Sequence, residues 1–550
     1  MTRLATAVGR ALADHGITVA FGVLGNGNAL AVAGLRDRGA RYIAARHEGG
    51  AIGMAEAYYL ATGDVAVCTT TYGPGLTNAA TGLAEAVKHH SGVLMLCGDR
   101  PTDRLRPIDI DQSAFAAAVG ASTVRVTDPA TAPTAIANAV WLARTGPCPV
   151  VLSLPSDLLT ADMPDVTVTE APTAVTRQAP SAAGIVAVLD ILASARRPLL
   201  LAGLGAWRSG AAKSLMSLGE RLGAPLATTV MAAGLFAESP WSLGICGGFS
   251  SPRAAHIIGD ADVVVTFGAS LSDFTLHGGR MFRPDATVVQ VDLRADPTSE
   301  RVDHHVSADA TDAAMALLDG VTARGLAPAP WHAEMATQLT DTGWEQVGYD
   351  DASTPDRIDP RTLSRELAGL LPRSRTLVLD GGHFVGWPAM YWPVPDPSAL
   401  VFTGAYFQSV GLGFAGAVGA AVGRPERTTV VALGDGGALM GLPELETLIR
   451  VAESAIVIIY DDAAYGAEVH LYAPLGIDAS PARFDDTDFA SVARSLGAEA
   501  VTVRRPADLA ALTAWRGRGA RGTFVLDCKV VPDVVAPYLS DLRDHIRAGE

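Results

Sequence analysis

Residues 428–466 read TTVVALGDGGALMGLPELETLIRVAESAIVIIYDDAAYG, and this stretch decides the fold class. It contains four consecutive segments: a β-branched run at 428–433, the sequence Gly-Asp-Gly-Gly at 434–437, a helical pattern at 442–452 and an apolar run at 455–460. The pattern predicts a strand, a glycine turn, a helix and a second strand, which is the unit that places two parallel strands side by side. An α/β fold with a parallel sheet is therefore expected.

Acidic residues follow both of these predicted strands. Asp435 comes after the first strand, and the pair Asp461-Asp462 ends the second. Ligands of parallel sheets lie beyond the carboxyl ends of the strands, and glycine lets backbone N–H groups approach a phosphate at a helix N-terminus. Asp435 and Asp462 are thus positioned to share one divalent cation that also binds a phosphate. The alternative is that both sequences form ordinary polar turns.

Composition limits the possible functions. The chain has 550 residues, of which 49% are hydrophobic and 18% charged, as is typical of a globular protein with several domains. Its net charge of −16 argues against nucleic acid or an anionic membrane as a partner. Residues 1–16 lack the apolar core of a signal peptide, and no apolar run approaches the roughly 20 residues of a membrane span. The five cysteines lie far apart without a CxxC pair, which favours reduced thiols and a cytoplasmic location.

Three α/β blocks are predicted along the chain, each alternating helical patterns with short apolar strands. They are expected at residues 1–160, 184–325 and 361–550. The segments 161–183 and 326–360 lack periodicity and are rich in residues such as proline, so they are expected to be linkers. The sequence therefore predicts three doubly wound domains, each built on a parallel sheet.

The 434–462 region resembles the diphosphate-binding motif of enzymes that use thiamine diphosphate (ThDP), which runs from Gly-Asp-Gly to an Asn-Asn pair. The resemblance implies that Asp435, the side chain of Asp462 and the backbone carbonyl of Ala464 ligate Mg²⁺. It also implies cofactor contacts from Gly434, Asp435, Gly436, Gly437, Asp462, Ala464, Tyr465 and Gly466. Asp462 departs from the motif because a carboxylate replaces a neutral amide. An extra charge about 5 Å from a diphosphate costs roughly 3 kcal/mol at an effective dielectric of about 20, and contact with the cation is expected to offset that cost.

A second group of motif residues lies in the first block. Glu48 stands in the sequence RHEGG, and in ThDP enzymes a glutamate in a similar context hydrogen-bonds N1′ of the aminopyrimidine. A desolvated carboxylate there favours the tautomer whose nitrogen removes the thiazolium proton. The sequence GPGLTN at 73–78 is similar to the family's pyrimidine-site loop, which implies contacts from Gly73, Pro74 and Asn78. Taken alone, Glu48 would only complement a helix dipole and the loop would be a Pro-Gly turn.

The sequence YFQSVGLGF at 406–414 resembles the loop that passes under the cofactor in these enzymes. Val410 takes the place of the bulky apolar residue that forces ThDP into its bent shape. The backbone carbonyl of Gln408 would then accept a hydrogen bond from the aminopyrimidine. Without the other motifs, Val410 would be expected only to pack against its neighbours.

Nearly the whole chain resembles the acetolactate synthase and 2-oxo acid decarboxylase group of ThDP enzymes, which includes pyruvate decarboxylase and benzaldehyde lyase-like proteins. In this group a pyrimidine-binding domain, a middle domain and a diphosphate-binding domain follow in that order. The first and third domains face each other across subunits. The resemblance therefore implies that Glu48 of one chain meets Asp435 of another, in a homodimer or a homotetramer.

Three residues are candidates for contact with the substrate. Asn26 lies in a Gly/Asn loop where relatives place a polar residue near the reacting carbon, and Glu468 falls where pyruvate decarboxylase-like relatives keep a catalytic glutamate. His470 follows two residues later. Their simpler interpretation is as a turn residue and two surface side chains. Residues 107–112 lack the His-His pair that those decarboxylases carry there, so Glu468 or His470 would have to supply the proton that releases an aldehyde.

The middle block is predicted to bind no flavin, although FAD stays possible. Its sequence GLGAWRSG at 203–210 is superficially similar to a dinucleotide-binding turn but lacks the third glycine. Acetolactate synthases hold FAD in this domain, whereas it is empty in many decarboxylases. Residues 268–275 look more like the decarboxylase version.

The sequence thus predicts a ThDP- and Mg²⁺-dependent carboligase or lyase that acts on 2-oxo acids or acyloins, in the manner of acetolactate synthase. One alternative is a 2-oxo acid decarboxylase that releases an aldehyde. Another, of a different class, is a non-catalytic regulatory paralogue with the ThDP fold. A flavin or nicotinamide oxidoreductase is supported only by the glycine turn of the middle block.

Overall fold

The computed structural model describes residues 2–146, 148–163, 177–339 and 342–548. Within these residues, three six-stranded parallel sheets follow one another along the chain, with helices between most consecutive strands. Parallel neighbours require crossover connections, and helices supply them here. The predicted α/β class with three parallel-sheet domains is confirmed. The exact domain boundaries stay a prediction.

The first sheet has the strand order β3-β2-β4-β5-β7-β6. The N-terminal strands are β1 Thr2–Arg3, β2 Val19–Gly22, β3 Arg41–Ala44, β4 Ala66–Thr70, β5 Val93–Asp99, β6 Ser122–Arg125, β7 Val150–Pro155 and β8 Asp162–Met163. The helices are α1 Leu4–Asp14, α2 Ala29–Asp37, α3 Glu48–Thr62, α4 Gly73–Asn78, α5 Ala80–Lys88, α6 Gln112–Ala118 and α7 Ala132–Thr145. Strands β4, β5 and β7 are buried along their whole length, as expected of parallel strands covered on both faces.

The middle sheet has the order β11-β10-β9-β12-β13-β14. Its strands are β9 Pro198–Ala202, β10 Leu226–Thr228, β11 Ser242–Ile245, β12 Val263–Phe267, β13 Thr287–Asp292 and β14 His304–Ser307. Its helices are α8 Ala182–Ser194, α9 Leu204–Ser209, α10 Ala212–Leu222, α11 Pro252–Gly259, α12 Asp273–Leu276, α13 Ala310–Ala323 and α14 Trp331–Gln338. The order reverses between β9 and β12, so this sheet also has a topological switch point.

The third sheet has the order β16-β15-β17-β18-β20-β19. Its strands are β15 Arg375–Leu379, β16 Leu400–Phe402, β17 Thr428–Gly434, β18 Ser454–Asp461, β19 Glu499–Val503 and β20 Gly522–Lys529. Its helices are α15 Pro360–Leu370, α16 Gly386–Tyr391, α17 Gly413–Gly423, α18 Asp435–Gly441, α19 Pro443–Val451, α20 Gly466–Tyr472, α21 Phe489–Ser495, α22 Ala510–Gly517 and α23 Pro537–Ala548. Short 3₁₀ helices occur at Val230–Ala232, Trp344–Gln346, His383–Val385, Pro397–Ala399, Ala473–Leu475, Ser480–Ala482 and Pro506–Leu509.

Three local predictions need correction. The 73–78 sequence, expected to be a loop, forms helix α4, whose first turn contains Pro74. The glycine turn expected after β17 is wrong, because α18 begins at Asp435 itself and the glycines are helical. A second helix, α19, then begins at Pro443, which suits the first helical position because it has no N–H to donate. The expected linker 326–360 contains α14, whose Trp331 and Met335 are buried in the middle domain. Of the other expected linker, residues 164–176 lie outside the described residues.

The first and third domains pack directly against each other through α3 and α17. Both helices contribute to one hydrophobic core, in which Met54 and Tyr58 from α3 meet α17. A Cβ atom at Gly419 would collide with the backbone oxygen of Met54, so the two helix backbones approach very closely. In the described part of the chain, no helix is both long and apolar enough to cross a membrane.

Candidate active site

A cleft of about 1650 Å³ opens at the carboxyl end of the third sheet and extends to the middle domain. The predicted cofactor residues that line it are Gln408, Val410, Gly434, Asp435, Gly436, Gly437, Asp462, Ala464, Tyr465 and Gly466. These residues come from the 404–412 loop, the start of α18 and the segment that follows β18. The structure therefore brings together residues that lie far apart in the sequence, at the edge where parallel sheets bind ligands.

Asp435 is the deepest acidic group in this cleft and is only 2% exposed. Its Oδ1 accepts a hydrogen bond from the N–H of Gly436 at 2.8 Å, and its Oδ2 accepts one from the N–H of Ala464 at 3.2 Å. Burial and the nearby carboxylates of Asp462 and Asp461 raise the pKa of Asp435 to about 9. A divalent cation between Asp435 and Asp462 would offset this repulsion and favour the ionised form. The chemistry of these donors fits a hard cation.

Glycines allow close packing around these acids, and Gly436, Gly437 and Gly466 also line the cleft. A Cβ at Gly436 would lie 2.5 Å from the ring of Tyr465, and a Cβ at Gly437 would lie 2.7 Å from Oδ2 of Asp380. A Cβ at Gly466 would collide with the carboxylate of Asp462. The start of α18 therefore presents bare backbone to the cleft, which is the arrangement that binds a phosphate. The residues present fit a metal-bound diphosphate.

The two members of the aspartate pair point in different directions. Asp462 lines the cleft, whereas Asp461 is fully buried behind it. The ammonium of Lys529 donates to Oδ2 of Asp461 at 2.5 Å and to the carbonyl of Thr487 at 2.6 Å, and it lies 3.0 Å from Oδ1 of Asp527. Asp462 is thus the member of the pair that is available to a cation in the cleft.

Two histidines lie beside Asp462. Nδ1 of His383 is 3.9 Å from Oδ2 of Asp462, and the His383 and His470 rings are 4.5 Å apart. Nε2 of His383 accepts a hydrogen bond from the N–H of Ala536 at 2.9 Å, which leaves the proton of the neutral ring on Nδ1. His383 in this form offers Asp462 a donor and no metal-binding lone pair. Burial and the nearby His383 lower the pKa of His470 to about 4, so His470 is neutral at pH 7.

The predicted substrate residues take different positions. Glu468 is exposed and lines the cleft from α20, the helix expected to cover it. His470 follows on the same helix beside His383. Asn26 is exposed in the loop between β2 and α2, while its neighbour Asn28 is buried and accepts a hydrogen bond from the N–H of Gly25 at 2.8 Å.

The pyrimidine-site residues lie on a separate part of the same chain. Glu48 is the first residue of α3, and Nδ2 of Asn78 donates to its Oε2 at 3.0 Å. Among the described residues, those that line the cleft include neither Glu48 nor Gly73, Pro74 or Asn78. The predicted pyrimidine-site residues and the predicted diphosphate-site residues of one chain, its two half-sites, therefore do not share this cleft.

Three buried carboxylates that sequence patterns did not reveal hold these half-sites in place. Oε1 of Glu444 accepts from the N–H groups of Arg46 and His47, each at 2.9 Å, immediately before Glu48. Asp380 accepts a hydrogen bond from the N–H of Gly411, and Glu85 accepts one from the N–H of Tyr406. These two N–H groups lie on either side of Val410 in the sequence. Such residues have no local sequence signal, because each one bonds to backbone groups that are distant in the sequence.

Comparison with known proteins gives matches over all three domains. Residues 2–120 match the N-terminal TPP binding domain of thiamine pyrophosphate enzymes, residues 185–317 the central domain, and residues 380–528 the C-terminal TPP binding domain. Thiamine pyrophosphate (TPP) is another name for ThDP.

Similar proteins align along almost their whole length. A probable acetolactate synthase large subunit from Methanocaldococcus jannaschii is 27% identical over 540 residues, covering 92% of this chain and 88% of the relative. The acetolactate synthase of Bacillus subtilis is 28% identical, covering 94% and 91%. A probable sulfoacetaldehyde acetyltransferase from Rhizobium meliloti is 27% identical, covering 91% and 89%.

Proposed function

The chain belongs to the thiamine pyrophosphate enzymes, and on this premise we propose that it is a ThDP- and Mg²⁺-dependent carboligase acting on 2-oxo acids or acyloins, in the manner of the acetolactate synthases. The observation that carries the proposal is that Asp435, Asp462, the glycines at the start of α18, Gln408 and Val410 all line one cleft. Bound there, ThDP supplies the carbon nucleophile and electron sink needed to break or form a C–C bond beside a carbonyl.

The residues of the cleft have distinct roles in this proposal. Asp435, Asp462 and the carbonyl of Ala464 hold Mg²⁺, and the N–H groups at the start of α18 bind the diphosphate. The backbone carbonyl of Gln408 would accept a hydrogen bond from the aminopyrimidine, and the side chain of Val410 would contact the cofactor. Val410 is 42% exposed, which leaves its side chain free to contact a ligand.

We propose that a second copy of the chain completes each site. The half-site with Glu48 is separate from the cleft with Asp435, and apolar side chains are exposed at both. Those near α4 are Leu105, Ile108 and Ile110, and those beside the cleft are Tyr406, Phe407, Leu439 and Met440. Burial of such side chains stabilises a permanent interface. A homodimer is the smallest assembly that joins Glu48 to Asp435, and a homotetramer would contain two such pairs.

Proton transfer to the reacting substrate is assigned to Glu468. Glu468 is exposed and lines the cleft, whereas His470 packs beside His383 and is not among the described residues that line it. Of the two candidate acids, Glu468 is therefore preferred. Asn26 stays a candidate contact from the partner's half-site. Its neighbour Gly27 donates a hydrogen bond to Oγ1 of Thr71, which lies just before α4 (residues 73–78).

Product analysis tests the proposal. The protein is incubated with pyruvate, ThDP and Mg²⁺, and a carboligase yields acetolactate or acetoin, whereas the alternative of a 2-oxo acid decarboxylase yields acetaldehyde. A panel of other 2-oxo acids and acyloins extends the test to donors larger than pyruvate. The Glu48→Gln variant is the control, because it keeps the Asp435 site but loses the carboxylate at N1′.

Binding measurements test the remaining alternative, a regulatory paralogue. Such a protein would fail to bind ThDP with Mg²⁺, or would bind it without accelerating exchange of the thiazolium C2 proton. Absence of product from the whole panel together with absence of C2 exchange would overturn the proposal.

Mixing two inactive variants tests the shared site. Glu48→Gln and Asp435→Asn each damage both sites of a homodimer, but a mixed dimer regains one intact site. Random exchange of subunits should therefore restore about one quarter of the wild-type activity. No recovery after subunit exchange, verified by mass spectrometry, would contradict the shared-site arrangement.

We also propose that the enzyme works in the cytoplasm without flavin. The five cysteines are all unpaired and four are buried, which suits a reducing compartment. An absorbance spectrum of the purified protein tests for flavin, and fractionation of the native cells tests the location.

A further inference from the structure

The 404–412 loop, which carries Gln408 and Val410, has an unusual backbone conformation. Gln408 has φ = 58°, in the left-handed region that residues other than glycine rarely adopt. Gly404 and Gly411 on either side also have positive φ values, 106° and 89°. A side-chain-bearing residue keeps such a conformation only where its surroundings impose it, and such positions concentrate at functional sites.

A single carboxylate from another domain provides much of that constraint. Glu85, on α5 of the first domain, is fully buried. Its Oε1 accepts from the N–H of Tyr406 at 2.9 Å, and its Oε2 accepts from the N–H of Phe407 at 3.0 Å and the hydroxyl of Ser409 at 3.2 Å. These hydrogen bonds lie on both sides of Gln408, so the Glu85 carboxylate determines the direction of the peptide groups around it.

Two other buried side chains, Glu56 and His89, lie close to Glu85. The His89 ring packs against Tyr406 with centroids 4.6 Å apart, and Nδ1 of His89 lies 3.2 Å from Oε1 of Glu56. Both carboxylate oxygens of Glu85 already have protein donors, so we interpret this cluster as a support for the loop and not as a cation site. Helix α5, which carries Glu85, begins two residues after α4 (residues 73–78) of the other half-site.

We propose that Glu85 is a positioning residue that fixes the backbone carbonyl of Gln408 and the side chain of Val410 in the orientation needed by the cofactor. Its role in catalysis rests on the proposed ThDP function, but its hold on the loop does not. Helix α5 follows α4 (residues 73–78), which belongs to the other half-site. Glu85 therefore acts on one half-site from a helix that is next to the other. Glu85 thus connects the two half-sites of a chain.

Hydrogen–deuterium exchange of the cofactor-free protein tests the structural part. In Glu85→Gln, an amide group presents donors where two acceptors are needed, so peptides that cover 404–412 should exchange about tenfold faster than in the wild type. The matched control is Glu220→Gln, at an exposed glutamate of α10, which should leave these peptides unchanged. Unchanged exchange of 404–412 in Glu85→Gln would overturn the proposal, whatever the protein binds.

ThDP binding and C2-proton exchange test the functional part. Glu85→Gln should weaken ThDP binding about tenfold and slow C2-proton exchange at saturating ThDP, while Glu85→Asp, which keeps both acceptor oxygens, should recover part of both. Ser409→Ala removes one of the three hydrogen bonds and gives a milder test if Glu85→Gln does not fold. Wild-type C2 exchange in both Glu85→Gln and Ser409→Ala would contradict the positioning role. If the wild type itself fails to bind ThDP, the proposed function fails, and the exchange experiment still decides the role of Glu85.

Discussion

The ammonium of Lys529 lies 2.5 Å from Oδ2 of Asp461, and both side chains are almost completely buried. The two residues are direct partners in the parallel pairing of β18 with β20. By its resemblance to the ThDP diphosphate motif, Asp461 takes the position of the first asparagine, and in this chain it forms a buried ion pair. The pair directs the Asp461 carboxylate away from the cleft and leaves Asp462 to face it.

The first prediction is that this ion pair is coupled. Lys529→Met leaves Asp461 and Asp527 buried without a cation and should destabilise the protein by about 3–5 kcal/mol. Asp461→Asn with Lys529→Met removes both charges of the pair and should be less destabilised than the sum of the single variants. Thermal denaturation of the four proteins in a double-mutant cycle measures the coupling.

Glu499→Gln, which breaks the exposed pair with Arg518, is the control and should change stability by less than about 1 kcal/mol. Additive effects of the two single variants would show that the pair is not coupled.

The second prediction concerns the metal. Asp435→Asn removes the most buried acidic group of the cleft and should weaken Mg²⁺-dependent ThDP binding about 100-fold or more, with EDTA having a similar effect on the wild type. Asp462→Asn removes a negative charge beside the diphosphate and restores the amide of related enzymes. It should therefore bind ThDP as tightly as the wild type or more tightly. Calorimetric titration with ThDP in the presence of Mg²⁺ measures the affinity of both variants.

The matched control for the metal variants is Asp478→Asn, at an exposed aspartate that is not among the described residues lining the cleft. It should not alter binding. Loss of ThDP binding in Asp462→Asn would contradict the expectation, because it would mean that the cation requires both carboxylates.

Local features of this fold could be predicted from the sequence, whereas contacts between distant residues could not. The positions of Asp435 and Asp462 at two strand ends were predictable, because strand and helix periodicity fixes which residues reach the carboxyl edge of a parallel sheet. The start of α18 at Asp435 was not predictable, because glycine has a low helix propensity and α18 packs against the distant residues Asp380 and Tyr465. Lys529 was missed because its pairing with Asp461 depends on strand order, which no local pattern specifies.

The third prediction uses the pH dependence of Asp380. Burial raises the pKa of this carboxyl to about 6, although it accepts hydrogen bonds from Gly381, Gly411 and Leu412. The native state therefore binds the proton of the Asp380 carboxyl group more tightly than the unfolded chain does. The stability contributed by Asp380 consequently falls as pH rises from about 4 to about 6. The total change is about 3 kcal/mol, and no further change is expected above that range.

Comparison with Asp380→Asn isolates this effect, because the variant does not titrate. The stability of the wild type relative to Asp380→Asn should fall between pH 4 and pH 6 and stay constant from pH 7 to pH 8, as measured by thermal denaturation. A difference that rises with pH across the lower range would mean that the pKa of Asp380 is lowered in the folded protein instead.

The fourth prediction tests the packing between the first and third domains. A Cβ at Gly419 collides with the backbone oxygen of Met54, so Gly419→Ala must separate α17 from α3 and should destabilise the protein by about 1–3 kcal/mol. A Cβ at Gly369, on α15, would have nothing within 4 Å, and Gly369→Ala should stabilise the protein by roughly 0.5–1 kcal/mol. Thermal denaturation distinguishes the two, and equal effects of both substitutions would contradict the close approach of the helices.

The last prediction concerns Glu444, which lies on α19 of the third domain and accepts hydrogen bonds from the N–H groups of Arg46 and His47. These bonds fix the start of α3, where Glu48 is the first residue. Glu444→Gln replaces the carboxylate by a neutral amide, whose oxygen accepts weaker hydrogen bonds from these N–H groups. It should therefore misplace the Glu48 carboxylate, which serves the ThDP bound by the partner subunit in the proposed dimer. We expect C2-proton exchange and kcat to fall about tenfold while ThDP affinity changes by less than about twofold, because no group that holds the diphosphate is altered.

Glu446→Gln provides the control for Glu444, because Glu446 lies on the same helix and bonds to the side chain of Arg46 instead of the backbone. That contact is solvent-exposed, so its loss should leave C2-proton exchange unchanged. Equal losses in both variants would assign the effect to the charge of α19. A loss confined to Glu444→Gln would mean that Glu444, on the third domain of a chain, orients Glu48 on the first domain of the same chain. In the proposed dimer this Glu48 serves the site of the partner subunit. The geometry of one active site would then depend on the structure of the other.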